Sequence, residues 1–117
     1  MLCERQGILG KIPFRDGKEP EYPRTYLIVN ANEDGITVLN VSSTRGKEHK
    51  LLFQTNYPLR SYNPPFVKRC FVKLDSAVYV PADKFEFYEI ETLHSGDLLN
   101  ESDFSEIKRR FPRWNIS

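Results

Sequence analysis

Apolar residues fall in short runs punctuated by Gly, Pro and charge, the pattern of a chain built mainly from strands. Ile8 to Phe14 is mostly apolar, interrupted by Gly10 and closed by Pro13, and predicts a first strand at a sheet edge. Arg15 to Pro23 is a loop of Gly, Pro and charge. Thr25 to Ala31 is almost wholly apolar and predicts a strand covered on both faces. Asn32-Glu33-Asp34-Gly35 predicts a turn, with Asp-Gly a strong hairpin signal, Ile36 to Ser42 the return strand and Ser43 to Lys50 a polar loop. From Leu51 to Phe66 the pattern weakens. Leu51-Leu52-Phe53 offers one short strand, and Pro58, Pro64 and Pro65 predict an ordered irregular loop. Arg69 to Asp75 alternates, with Cys70, Val72 and Leu74 on one face and Phe71, Lys73 and Asp75 on the other. Ala77 to Val80 and Phe85 to Ile90 are two further strand candidates, separated by Pro81-Ala82-Asp83.

The period changes at the end of the chain. Phe104, Ile107 and Phe111 recur at helical spacing, Asn100 or Ser102 caps the start, and Pro112 stops the helix, which is expected over about 101–111. Lys108, Arg109 and Arg110 fall in its last turn, where cations suit the helix dipole. The expected fold is mainly β (α+β): a small, strongly twisted antiparallel barrel with one C-terminal helix, in a single domain over residues 1–117.

Composition narrows the function. A chain of 117 residues holds one core and not two. The net charge of +1 gives no whole-molecule attraction to nucleic acid, so any RNA-binding surface must be local. The two cysteines, Cys3 and Cys70, make neither a disulfide framework nor a CxxC pair, and Cys70 reads as a buried thiol. No apolar signal core follows Glu4 and Arg5, and no run approaches the ~18 apolar residues of a membrane span, so a cytoplasmic protein with no membrane contact is expected. His49 and His94 are far apart and form no HxxxH or Cys/His cluster, so neither a metal nor a cofactor is expected. His49, beside the Ser/Thr turn, reads as a surface-loop residue or as an alternative acid–base group.

The candidate chemistry lies in two places. The Gly17 to Arg24 loop delivers an arginine to the mouth of a buried strand, and Lys73 and Asp75 stand two residues apart in another strand pattern. They supply two cations and a carboxylate, enough for acid–base chemistry on a phosphodiester without a metal. Lys73 and Asp75 would share a face and converge on one ligand, or simply form an ordinary exposed pair worth little. Glu19 either braces Arg24 or is solvated, and the Ser42-Ser43-Thr44 hydroxyls suit local turn chemistry. Tyr57, Tyr62 and Phe66, mixed with Arg60, Lys68 and Arg69, suit stacking of unpaired bases or plugging of the barrel's open end. The tail Arg113-Trp114-Asn115-Ile116 is expected to dock on the body or on a partner chain.

In order and spacing these segments resemble the MazF/PemK family of toxin endoribonucleases. The family's opening Gly-x-Ile and later Leu or Phe has its counterpart in Gly7-Ile8-Leu9 leading to Phe14. Its Gly-Ser/His-Glu-Gln loop, Arg-Pro and apolar strand correspond to Gly17-Lys18-Glu19-Pro20, Arg24 and Tyr26-Leu27-Ile28-Val29. Val41 leads into Ser42-Ser43-Thr44 where the family has a Thr/Ser pair, and Lys73-Leu74-Asp75 stands where PemK-like members have Arg-x-Asp. A closing helix is similar over Leu99 to Arg110, so the likeness runs from about Gly7 to Phe111. The loop departs in lacking the Ser or His and the Gln, Pro23 precedes Arg24 instead of following it, and Lys73 replaces an arginine fork with a point charge.

The resemblance implies an SH3-like barrel, no cofactor, and metal-independent cleavage of single-stranded RNA by its own 2′-hydroxyl, leaving a 2′,3′-cyclic phosphate. It implies Asp75 as base, Arg24 as stabiliser of the phosphorane-like charge, Lys73 as its assistant and Ser42 or Thr44 as donor to a phosphate oxygen. Lys18, Glu19, Ser43, Thr44 and Tyr62 are the implied substrate contacts. A type II toxin–antitoxin system is implied as well, with a homodimer held in check by a cognate antitoxin. The departures leave a non-catalytic binding module of the same barrel class as the alternative. A gyrase inhibitor of CcdB type, suggested by Trp114-Asn115-Ile116, is the weaker one.

Overall fold

The computed structural model describes residues 2–115. Seven strands form one antiparallel sheet: β1 (Gly7–Gly10), β2 (Arg24–Asn32), β3 (Gly35–Ser43), β4 (Asn56–Pro58), β5 (Cys70–Lys73), β6 (Val78–Pro81) and β7 (Glu91–Thr92). A single α-helix, α1 (Glu101–Trp114), follows. The strand order is β4-β5-β3-β2-β1-β7, with β6 joined to β3 off that path. The ends of the path, β4 and β7, do not pair with each other, so the sheet is open and not a closed barrel. Its radius of gyration is 13.2 Å, that of one compact body of this length. Among the described residues no helix is long and apolar enough to cross a membrane.

The long central hairpin follows from its apolar sequence. Leu27 and Val29 pack with the core beneath α1, while Tyr26 and Ile28 pack into a second core on the other face, so β2 is buried on both sides as expected. A bulge between Ile28 and Asn30 shifts the register against β3. The connection is Glu33-Asp34, and the Asn32 side-chain oxygen accepts hydrogen bonds from the backbone N–H groups of Asp34 (2.8 Å) and Gly35 (3.1 Å). Gly35 does not have a positive φ. Its lack of a side chain serves a close approach instead, because a Cβ there would collide with the Val80 carbonyl and the Tyr79 ring on β6.

One edge of β3 is shared by two strands. Val41 to Ser43 pair with β5, and Gly35 to Val38 pair with β6. In the gap between them, Ser76 stands in for a strand: its Oγ accepts from the Asn40 N–H at 2.8 Å and donates to the Lys73 carbonyl at 2.6 Å. The chain thus turns sharply at 74–77, directly beside the candidate chemistry.

Several expectations need correction. β1 ends at Gly10 and lies between β2 and β7, so it is not an edge strand. Phe85 to Ile90 is a coiled turn and not a strand: Tyr88 N–H donates to the Lys84 carbonyl, and Phe85, Tyr88 and Ile90 pack on the second core while Phe87 stays exposed. Leu51 and Leu52 close a 3₁₀ turn over Glu48–Leu52, and the strand of this region is β4, where Tyr57 and not Leu51 supplies the buried side chain. The helix continues past Pro112 to Trp114. Asn115 makes that extension tenable: its side-chain nitrogen donates to the Phe111 and Leu74 carbonyls, both at 2.6 Å, and its side-chain oxygen accepts from the Ala77 N–H at 3.1 Å. The tail is therefore docked on the body through Trp114 and Asn115, while Ile116 lies outside the described residues.

The N-terminus of α1 is fixed by a buried carboxylate. Asn100 caps the helix by accepting from the Asp103 N–H at 2.8 Å. Asp103, fully buried, accepts from the Tyr57 hydroxyl at 2.7 Å, the Arg60 N–H at 3.1 Å and the Asn100 side chain at 2.8 Å. Helix, β4 and the proline-rich loop are thus tied at one point.

Candidate functional site

Arg24 opens β2, and its side chain is the pivot of the site. Tyr22 and Arg24 flank Pro23 where a bend leads into β2. The guanidinium carbon sits 4.2 Å from the Tyr22 ring centroid and 5.9 Å from that of Phe14. Phe14 is held there by the loop: its N–H donates to the Lys18 carbonyl and its carbonyl accepts from the Gly17 N–H, both at 2.8 Å. Gly17 has φ of +87°, which a side chain would oppose. The Arg24 Nε–H is buried and has no hydrogen-bond partner among the described residues.

The surrounding cleft measures about 370 Å³, and Ser42, Ser43, Lys47 and Lys73 complete its polar wall. Lys47 Nζ donates to Ser42 Oγ at 3.1 Å, which leaves the Ser42 proton free to donate elsewhere. Among the described residues no carboxylate lines this cleft. Among the described residues none of Arg24, Lys47, Lys50 and Lys73 takes part in an ion pair. Partial burial pushes the Lys73 ammonium below the ordinary lysine range, and the Lys50 and Lys47 charges push it the same way; Asp75 opposes them. The site is therefore a desolvated cluster of cations with hydroxyl donors and two aromatic rings, a setting that favours an anion with planar groups attached.

Asp75 lies one step away. β5 ends at Lys73, so Asp75 stands in the following turn and not in the strand. It lines a neighbouring depression of about 270 Å³ that shares Phe14, Asn40 and Lys73 with the first. Its backbone is clamped, since Arg15 donates to the Asp75 carbonyl and to the Asn115 side chain, each at 2.8 Å. Lys73 is thus the hinge between the cationic cleft and the depression that Asp75 lines together with Asp16.

The structure brings Arg24, Ser42, Ser43 and Lys73 together, with Asp75 adjacent. It does not bring the others to this cleft. Lys18 and Glu19 are exposed on the loop, where the Lys18 backbone, not its side chain, positions Phe14. Thr44 is buried, and its Oγ1 has no hydrogen-bond partner. Tyr62 is exposed in the proline-rich loop outside the cleft. His49 is exposed in the 3₁₀ turn, and His94 lines a smaller cleft of about 200 Å³ with Ser42, Ser43 and Cys70. No group of three His, Cys, Asp or Glu suited to a metal occurs among the described residues. Sequence reasoning missed Lys47, Tyr22 and Arg15. The spacing Tyr22-Pro23-Arg24 carries the Tyr22 contact, whereas the Arg15 and Lys47 roles depend on contacts that no local pattern announces.

No protein-family model and no curated protein matches this chain.

Proposed function

We propose that the chain is a toxin of the MazF/PemK-like type, a metal-independent endoribonuclease that cuts single-stranded RNA on an incompletely closed SH3-like barrel. The observation that carries this reading is the cleft of unpaired cations around the buried, partnerless Nε–H of Arg24. A phosphodiester fits such a place: its oxygens meet Arg24, Lys47, Lys73 and the Ser42 hydroxyl, and flanking bases meet Tyr22 and Phe14. The barrel reading is supported by β3, which two strands share along one edge, as a strongly curled sheet requires.

In this reading Asp75 accepts the proton of the 2′-hydroxyl, and that oxygen attacks phosphorus. The negative charge that develops is met by the Arg24 guanidinium and the Lys73 ammonium, already desolvated and in place before the reaction. The bond to the 5′-oxygen breaks, a water held by Arg24 gives that oxygen a proton and recovers one from Asp75, and a 2′,3′-cyclic phosphate remains. A homodimer and a cognate antitoxin belong to the same proposal. An antitoxin segment of acidic and apolar residues would complement Arg24 and Lys73.

The second reading, a module that binds RNA without cutting it, draws on one observation: Asp75 lines the adjoining depression and not the Arg24 cleft. Incubation of the purified chain with single-stranded RNA in EDTA separates the two. Cleavage to cyclic phosphate ends, lost in Arg24→Ala and in Asp75→Ala, is the expected result. RNA that is bound but left intact selects the binding module instead.

A further inference from the structure

We propose that the cleft between the 48–56 segment and the last turn of α1 is a second subsite for the same RNA strand, holding nucleotides beyond the cleaved linkage. This rests on the reading of the Arg24 cleft as an RNA site. The second cleft measures about 510 Å³ and is lined by Leu52, Phe53, Asn56, Arg110, Arg113 and Trp114, among others. Glu106 holds Arg109 at 2.8 Å and Arg110 at 3.3 Å, while Arg113 has no ion pair or side-chain hydrogen bond among the described residues. A cation in the last turn of a helix also suits the dipole, but that does not account for the apolar groups beside it. Leu52 is 85% exposed and Phe53 53% exposed, and neither belongs to a core. An exposed ring beside guanidinium groups is the combination on which unpaired bases stack while phosphates are neutralised.

The two clefts are neighbours across the pairing of β4 with β5. Asn56, on the wall of the second, is the register partner of Lys73, on the wall of the first, and paired strands lie only ~4.8 Å apart. The Asn56 side chain donates to the Lys50 carbonyl at 2.9 Å, which fixes the loop that carries Lys47 and Lys50 between the clefts. Lys47 and Lys50 are close enough to Lys73 for their charges to lower its proton affinity. Cations therefore line the way from Arg24 through Lys73 to Lys47 and Lys50, and Arg113 stands on the wall of the cleft that Leu51, next to Lys50, also lines. Adjacency to the Arg24 cleft favours a nucleic acid strand over an acidic peptide as the occupant.

The test is fluorescence anisotropy of labelled 2′-O-methyl oligouridylates, which no 2′-hydroxyl attack can cut, at lengths of about four and ten nucleotides. The ten-mer is expected to bind at least about tenfold tighter than the four-mer. Phe53→Ser and Arg113→Ala, both at exposed positions, should each remove most of that gain, and Arg113→Ala should lower the salt slope by about 0.7. Four-mer binding that is lost in Arg24→Ala, with no gain at ten, overturns the second subsite alone. No binding at either length overturns the reading of the Arg24 cleft as well. A gain at ten that both variants leave intact, or an acidic Leu/Glu peptide that requires Arg113 where the ten-mer does not, also overturns it.

Discussion

At the scale of the residue, Arg24 and Lys73 hold their charges without an ion-pair partner among the described residues. Arg24 has a buried Nε–H that no group among the described residues satisfies, and it stacks on Tyr22. A lysine in its place keeps the charge but loses the planar fork and the stacking. Arg24→Lys is therefore expected to cut poorly, and Arg24→Ala to lose on the order of a hundredfold or more in RNA cleavage, measured as single-turnover rates. Lys73 gives a pH dependence. Its ammonium loses its proton below the ordinary lysine range because burial and the Lys50 and Lys47 charges disfavour it. Cleavage should decline on the alkaline side before an ordinary lysine would titrate, as the Lys73 charge is lost. Removing a like charge in Lys50→Ala raises the Lys73 proton affinity, so the alkaline limb should move to higher pH. A limb that stays in place would disconnect Lys73 from the rate. The same shift bears on folding: the unfolded chain binds more protons on Lys73 in that window, so its contribution to stability rises with pH there.

At the scale of the element, two anchors hold the site's frame. Asp103 joins α1 to β4 and the 59–61 segment through hydrogen bonds from the Tyr57 hydroxyl and the Arg60 N–H, and Asp103→Ala leaves both without an acceptor. A loss of about 2–4 kcal/mol in denaturant unfolding is expected. Gly35→Ala drives a methyl group into the Val80 carbonyl and should cost about 2 kcal/mol or more by parting β6 from β3. The elements that the sequence reveals are those whose own residues determine them. The central hairpin declared itself because β2 is apolar on both faces and Asn32 can cap its turn. The helix declared itself through Phe104, Ile107 and Phe111. Phe85 to Ile90 misled because Phe85 and Phe87 alternate like a strand, while burial follows Phe85 and Tyr88 at helical spacing. β4 was hidden because three residues ending in proline carry no period, and pairing with β5 alone defines them. Within the site, the sequence places Arg24 and Lys73 on their strands. Lys47 and Arg15 could not be found that way, since their partners lie five to a hundred residues off and are met only in the fold.

At the scale of the whole molecule, the helix end, the 74–77 turn and the Gly17 loop meet around one corner. Asn115 binds Leu74 and Ala77, and Arg15 binds Asp75 and Asn115, so the cationic cleft is braced by elements from both ends of the chain. Global unfolding should carry an alkaline signature. Burial pushes the Cys70 thiol up to about 11, and burial with the Asp103 hydrogen bond pushes Tyr57 up to about 12. Both groups keep their protons longer in the folded chain, so their stabilising contribution is complete below their unfolded values of about 9 and 10 and is lost as pH rises through the folded ones. Stability should fall from about pH 9 to 11, and Cys70→Ala should flatten that part of the curve when urea midpoints are compared. A wild-type slope retained in the variant would remove Cys70 from the cause.

Whether the Arg24 cleft receives a phosphodiester is read at the buried Nε–H itself. In an NMR titration of the full chain with 2′-O-methyl single-stranded RNA, the Arg24 Nε–H signal is expected to shift strongly and saturably, together with the Ser42 and Ser43 amides. An Arg24 signal that stays in place while RNA saturates some other surface would contradict the account.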